Sequence, residues 1–213
     1  MTVNVLRELK TCLREPIPEI AEAAKMLNDA ATSHLAGDYG EAARLIRLSD
    51  LPKVRSWTES LRGANSEYID YVPIPNAPPR IPSTDRVPVR MPNASESTEL
   101  HARDGFHCRF CGIPVIRKDV RVFLNERYPD ALPWGRTNLS QHAAFQAMWL
   151  QYDHLLAHAR GGTNDLENIV ITCAPCNYGR GDMLLEEVGL VDPMTRSPMT
   201  SKWDGLERLL AAK

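Results

Sequence analysis

Over residues 1–71, apolar side chains recur at three- and four-residue intervals, the spacing of one face of an α-helix. Four helices are predicted. The first contains the apolar stripe Leu6, Leu9 and Leu13, and the second ends at Gly37. The third begins with the capping-box pair Asp38 and Glu41, and the fourth has Pro52 in its first turn. We therefore predict a small all-α N-terminal domain, and we expect it to pack or to bind a protein partner.

Residues 72–95 form a proline-rich segment. They hold seven of the 16 prolines of the chain: Pro73, Pro75, Pro78, Pro79, Pro82, Pro88 and Pro92. Such a composition favours extended polyproline II structure and predicts a semi-rigid linker. The segment also carries Arg80, Arg86 and Arg90 against one acidic residue, Asp85. An arm that follows a phosphate backbone is therefore the alternative to a plain linker.

Residues 96–213 change to a mixed helix and strand pattern. The pattern predicts helices over residues 97–104, 120–128, 141–147, 177–187 and 202–210, and strands over residues 148–153 and 169–173. We interpret this part as a second domain of the α+β class. Residues 113–147 are predicted to be an insertion in this domain.

Charge and hydropathy limit the possible functions. The net charge is −2, with 9 basic and 11 acidic residues in 1–71 and 13 basic and 15 acidic residues in 96–213. Nucleic-acid contact would therefore need a local basic patch. No apolar run approaches the ~18 residues that cross a bilayer, and residues 1–13 lack a signal-peptide core. We expect a cytoplasmic protein without a membrane partner.

Four of the five cysteines form two Cys-x-x-Cys pairs, Cys108 with Cys111 and Cys173 with Cys176. Each pair places two thiolates on one tight turn, and two such turns make a closed tetrahedral zinc site. The 61 residues between the pairs exceed the roughly 15–20 of a zinc ribbon, so they hold structure of their own. The fifth cysteine, Cys12, is predicted to be a core residue.

A second group of polar residues lies between and just after these pairs. Asp153 and His154 end a predicted strand, and Asn177 begins a predicted helix, so the three side chains could meet at one edge. Carboxylate and amide oxygens suit Mg²⁺ or Mn²⁺, and a neutral histidine beside the cation can accept a proton from water. This set suits hydrolysis of a phosphodiester bond.

The run from Asp153 to Asn177, with the lead-in from Arg103 to Gly112, resembles the core of the HNH endonucleases, the ββα-metal fold. The resemblance spans about residues 97–185. It implies DNA as substrate, His154 as general base, and Asp153 and Asn177 as ligands of a catalytic Mg²⁺ or Mn²⁺. It implies that Asn168 orients the loop and His154, and that the four cysteines hold a structural Zn²⁺.

Further roles rest on the same resemblance. Arg180 stands where family members often carry a cation that faces the phosphate, and Arg160 and His158 could also contact nucleic acid. Ala157 replaces a proline that is usual three residues after the base. The insertion at 113–147 is longer than the core needs, and we expect it to cover the zinc turn, the alternative being that it shapes the substrate groove.

Two other functions remain open at this point. A non-catalytic zinc module that binds nucleic acid or protein would not need His154. An interaction protein would use residues 1–71 and carry an inactive nuclease behind them. A homodimer is plausible, because one such site cuts one strand. The intact set of Asp153, His154, Asn168 and Asn177 favours the nuclease.

Overall fold

The computed structural model describes residues 8–63 and 65–211. Within these ranges the elements are α1 Pro18–Leu35, α2 Tyr39–Leu48, α3 Pro52–Ser60, α4 Ala94–Asp104, α5 Lys118–Arg127, α6 Ala143–Ala147, β1 Leu150–His154, β2 Ile169–Cys173, α7 Ala174–Arg180 and α8 Arg208–Ala211. The strands form one antiparallel two-stranded sheet. The predicted α+β class is therefore confirmed. None of these helices has the length and apolar character needed to cross a membrane.

The starts of α1 to α3 follow the sequence signals. Pro18 and Pro52 occupy the first turns of α1 and α3, and the Asp38 side chain accepts a hydrogen bond from the Glu41 amide (3.0 Å). The helix predicted around Leu6, Leu9 and Leu13 lies partly outside the described residues. Its described part, residues 8–15, is not helical, because the Lys10 backbone bonds instead to the segment 189–191.

The helices of the first 71 residues share both hydrophobic cores with the rest of the chain. In the first core, residues from the stretch before α1 and from α3 pack with β2 and the zinc turn; its members include Leu13, Trp57, Leu61, Phe110, Val170 and Cys176. In the second, α1 and α2 pack with α5 and α8; its members include Leu27, Ile46, Val120, Phe123 and Leu209. The predicted domain boundaries at 71 and 95 stay predictions.

The insertion at 113–147 provides most of the surface on which α1 and α2 pack. Its buried residues Val120, Phe123 and Leu124 belong to the second core, whereas Ile113 and Val115 lie in the first core beside the cysteine pairs. The predicted cover of the zinc turn therefore describes both ends of the insertion, since Ala143 and Ala147 near its end also belong to the first core. The larger part of the insertion connects the N-terminal helices to the sheet.

The sheet and α7 form a compact ββα unit. β1 and β2 pair from Leu150 with Cys173 to His154 with Ile169, and α7 begins directly after β2. The helix predicted over 177–187 is thus placed too late. Pro175 suits the first turn of α7, and Gly181, with φ of 59°, ends it.

The proline-rich segment lies against the loop between β1 and β2. Two backbone hydrogen bonds hold it, one from the Val72 amide to the Glu187 carbonyl oxygen (2.8 Å) and one from the Ile81 amide to the Ala159 carbonyl oxygen (2.9 Å). An ion pair between Arg80 and Asp182 adds a side-chain attachment. The segment therefore has a defined path across the ββα unit, which a plain linker would not need.

Candidate metal centre and active-site cleft

The four paired cysteines meet at one point, where their sulfur atoms all lie within 4.8 Å of one another. Cys108 and Cys111 come from the turn after α4, Cys173 ends β2, and Cys176 lies in the first turn of α7. A tetrahedral zinc with Zn–S bonds of about 2.3 Å requires sulfurs about 3.8 Å apart. The Cys111 and Cys173 sulfurs are 3.7 Å apart, so the cluster fits zinc.

The electrostatics of the cluster agree with a metal site. Burial raises the pKa of the Cys111 and Cys173 thiols, whereas hydrogen bonds with the other three cysteines hold the pKa of Cys108 well below its usual range despite its burial. Neutral pH alone would therefore leave the Cys111 and Cys173 thiols protonated, and a bound cation would supply the charge that keeps them as thiolates. The predicted four-cysteine site is thus brought together by the fold.

A cleft of about 480 Å³ opens beside the cluster, between the ββα unit and the proline-rich segment. Three of its lining residues are Asp153 and His154 at the end of β1 and Asn177 in α7. The sequence predicted that these three side chains would meet at one edge, and the structure places them in this one cleft.

The His154 imidazole is held by Asn164. Nε2 of His154 lies 2.8 Å from Oδ1 of Asn164, while Nδ2 of Asn164 donates to the carbonyl oxygens of Val89 (3.1 Å) and Met91 (3.3 Å). Because carbonyl oxygens only accept, the amide must present its oxygen to the imidazole. Nε2 therefore carries the proton and Nδ1 keeps the lone pair. Burial lowers the pKa of His154, which favours this neutral form.

Asp153 is buried and paired with Arg180. The guanidinium donates to both carboxylate oxygens and also to the carbonyl oxygen of His154 (2.5 Å). Burial raises the pKa of Asp153, and the positive charge of Arg180 opposes that rise. Each carboxylate oxygen has a second lone pair, so Asp153 can still face a cation across the cleft.

Asn168 closes the loop between the strands. Its side chain accepts from the Leu156 amide (2.8 Å) and donates to the carbonyl oxygens of Leu156 (3.2 Å) and Thr163 (2.8 Å). Gly162 sits so close that a Cβ atom would lie 1.8 Å from the Leu156 oxygen. The described bonds of Asn168 thus fix the loop, and the bond to His154 comes from Asn164 instead.

Residues 140–182 match the family model of the HNH endonuclease. The predicted resemblance is thereby confirmed for about a fifth of the chain. Among curated proteins and among solved structures, nothing matches the chain.

This HNH segment, residues 140–182, contains β1, β2 and α7. It includes the candidate base, its proposed cation ligands and the second cysteine pair. The first pair, Cys108 and Cys111, lies outside the segment and joins it only in the fold. The HNH segment therefore depends on residues before it for a complete metal centre.

Two predicted phosphate contacts in the HNH segment have other partners. Arg180 is fully buried and also donates to the carbonyl oxygens of Leu155 and Met183 (3.3 and 2.7 Å). Arg160 pairs with the buried Glu187 (2.8 Å) and donates to Pro78 (3.0 Å). These placements argue against a phosphate contact by either arginine, because their N–H groups serve the fold.

His158 is different, because it lines the cleft of the HNH segment. Its ring centroid is 6.0 Å from that of His154, and its Nε2 lies 2.8 Å from the carbonyl oxygen of Val87. It joins the proline-rich segment to the loop and keeps its place near the candidate base. A nucleic-acid contact by His158 stays a prediction.

Sequence reasoning assigned no role to Asn164 and did not place Arg86 or Arg90 at the cleft. Asn164 was visible only as one residue of the glycine-containing loop. Its partners, Val89 and Met91, lie 75 and 73 residues earlier in the chain. The basic composition of the proline-rich segment was the one signal that pointed to Arg86 and Arg90.

Proposed function

We propose that this protein is a metal-dependent endonuclease that hydrolyses DNA phosphodiester bonds. The observation that supports this most strongly is that three residues of the segment matching the HNH endonuclease model, a neutral histidine, a carboxylate and an amide, line one cleft. A proton acceptor and two hard oxygen donors are the groups that metal-assisted phosphodiester hydrolysis needs.

In this proposal Nδ1 of His154 accepts a proton from the attacking water, whose oxygen forms a bond to phosphorus. The bond between phosphorus and the 3′-oxygen breaks, and the leaving 3′-oxygen takes a proton from solvent water, which gives 5′-phosphate and 3′-hydroxyl ends. Asp153 and Asn177 would hold Mg²⁺ or Mn²⁺, which supplies stabilisation of the negative charge on the phosphate and the leaving oxygen. The cysteine cluster would hold zinc for the fold alone.

Arg180 then has a positioning role. Its guanidinium is the buried counter-ion of Asp153 and also binds the His154 carbonyl, so it fixes the backbone that carries both residues. A bidentate arginine–carboxylate pair gives a defined geometry. A protein partner for the N-terminal helices, homodimerisation and a cytoplasmic location stay predictions.

One observation favours a second function. Both oxygens of Asp153 accept hydrogen bonds from Arg180, and a carboxylate with such a partner binds a cation less readily. A non-catalytic zinc-containing module that binds nucleic acid or protein is consistent with that pairing. This module would bind DNA without cutting it and would be indifferent to the loss of the His154 imidazole.

Nicking of supercoiled plasmid separates these functions. We expect the full-length protein to nick DNA when Mg²⁺ or Mn²⁺ is added to metal-free buffer, and His154→Ala to lose at least about 100-fold in rate. Omitting Mg²⁺ is preferable to a chelator, because a chelator would also attack the zinc. His34→Gln, remote from the cleft, is the control and should keep its activity.

Zinc content and circular dichroism should be the same for the three proteins. Cleavage by His154→Ala at the wild-type rate would disprove the assignment of the base. A folded, zinc-loaded wild type that binds DNA and never cuts it would support the binding module.

A further inference from the structure

The final part of the proline-rich segment, residues 81–91, is a wall of the active-site cleft, and we call it the proline arm. The Ile81 amide donates to the carbonyl oxygen of Ala159. In the loop between β1 and β2, the His158 side chain bonds to the carbonyl oxygen of Val87, and the Asn164 side chain to those of Val89 and Met91. Asn93 then caps α4 and ends the arm. Because both ends are fixed, the side chains of the arm have a defined position beside the cleft.

Two arginines of the arm, Arg86 and Arg90, line the cleft together with His154. Arg86 uses its Nε to donate to the carbonyl oxygen of Ile81 (3.1 Å), which fixes the direction of its side chain. Arg90 is solvent-exposed and near enough for its charge to act on His154. Both arginines therefore border the space where a substrate would lie.

The acidic residues of the cleft do not neutralise these two charges. Asp153 is paired with Arg180, and Asp182 is paired with Arg80, so each carboxylate already has its own counter-ion. Among the described residues, neither Arg86 nor Arg90 takes part in an ion pair. The cleft is therefore locally basic in a protein whose net charge is −2. A local basic patch is what nucleic-acid contact requires.

We propose that Arg86 and Arg90 bind backbone phosphates of the nucleic acid along the wall of the cleft that the proline arm forms. This inference rests on the proposed function and adds the residues that position its substrate. Guanidinium groups bind phosphate oxygens in a bidentate manner. Four residues of extended chain can span up to about 14 Å, which is enough for the two arginines to contact different phosphates of one strand.

The experiment measures binding of a fluorescent DNA duplex by full-length protein with His154→Ala, which prevents cleavage. Arg86→Gln and Arg90→Gln are added together, and the matched control adds Arg47→Gln and Arg136→Gln, two exposed arginines with the same total charge. Affinity is measured at several salt concentrations. Zinc content verifies the fold of each protein.

We expect the arm variant to bind about tenfold more weakly or worse at 0.1 M salt, since about two charge-assisted contacts are lost. The slope of the logarithm of the association constant against the logarithm of the salt concentration should become less negative by about 1.8, because each phosphate contact of a duplex contributes about 0.9. The control pair should keep the parent slope. Equal affinities and slopes for the arm variant and the control would overturn the proposal.

The plasmid assay keeps this result separate from the proposed function. If the wild type nicks DNA and the arm variant has the control's slope, the arm proposal fails and the nuclease stands. If the wild type never nicks DNA and the arm variant still loses affinity and slope, the arm proposal stands and the nuclease fails.

Discussion

Asn164 is the side chain through which the proline arm reaches the candidate base. Its amide nitrogen donates to two carbonyl oxygens of the arm, and its oxygen faces Nε2 of His154. The arm thus determines which way the amide lies, and the amide determines which imidazole nitrogen carries the proton. Nδ1 is the atom left for the reaction, so a segment far away in sequence selects the reactive tautomer.

Asn164→Ala tests this role. We expect the cleavage rate at saturating substrate to fall by about tenfold or more, because an imidazole without its partner samples the wrong tautomer and orientation. KM should rise less than the rate falls, because Arg86 and Arg90 are kept although the arm loses two hydrogen bonds. Steady-state kinetics on a plasmid substrate measure both.

Asn164→Asp retains an oxygen acceptor for Nε2 and is the matched variant. It should recover part of the lost rate, although it lacks the donors to Val89 and Met91. A merely structural role for Asn164 predicts equal loss in both variants, together with lower thermal stability, and that result would contradict the positioning role.

Among the elements, those with local signals were predictable. Prolines predicted the starts of α1 and α3, and an aspartate cap predicted the start of α2. Two apolar runs predicted β1 and β2. The predicted start of α7 at Asn177 was three residues too late, because α7 begins at Ala174. Pro175 was the local signal for the earlier start.

The path of the proline arm had no local signal. Composition indicated an extended segment, but its hydrogen bonds are to His158 and Asn164, more than 70 residues away. For the same reason Arg180 and Arg160 were predicted to contact nucleic acid, whereas in the fold Arg180 is buried and Arg160 is half-buried in an ion pair with Glu187. Their partners are set by tertiary contacts, so one sequence could give the residue types of the site but not all their roles.

His142 connects two elements and makes a pH-dependent contribution to stability. It precedes α6, is fully buried, and its Nε2 lies 2.9 Å from the carbonyl oxygen of Ile46 in α2. Burial lowers the pKa of His142. The unfolded chain therefore binds a proton on His142 near pH ~6.5, whereas the folded protein does not. The free energy of unfolding thus decreases as the pH falls below about 6.5.

His142→Gln removes this titration while keeping an N–H donor. We expect it to be less stable than the wild type by about 1 kcal/mol at pH 7.5. The difference should shrink at pH 5.5, since the wild type loses up to about 1.4 kcal/mol per pH unit through this group. Thermal unfolding at both pH values measures the change. A constant difference between the proteins would contradict the contribution of His142.

At the scale of the whole molecule, the cysteine cluster lies in the first core together with side chains from the N-terminal helices. Trp57 and Leu61 belong to the same cluster of buried residues as Cys108, Cys173 and Cys176. The second core joins α1 and α2 to the insertion. Loss of the metal should therefore also destabilise the helices of residues 1–71, although no cysteine of the cluster lies there.

Cys173→Ser tests this dependence, and Cys12→Ser is its matched control. Cys12 is buried in the same core, but its sulfur is outside the metal cluster and burial raises the pKa of its thiol to about 12. Structural zinc contributes roughly 10–16 kcal/mol in small domains, which exceeds the stability of most proteins. We expect Cys173→Ser to be zinc-free and unfolded or aggregated, including around Trp57.

Cys12→Ser should keep one zinc per chain and unfold in a single transition a few degrees below the wild type. Metal analysis, calorimetry and tryptophan fluorescence measure these outcomes. Because the cores are shared, wild type stripped of zinc by a chelator should also lose the native fluorescence of the N-terminal helices. A zinc-free protein that retains a separate folded transition for residues 1–71 would show instead that these helices form an independent domain.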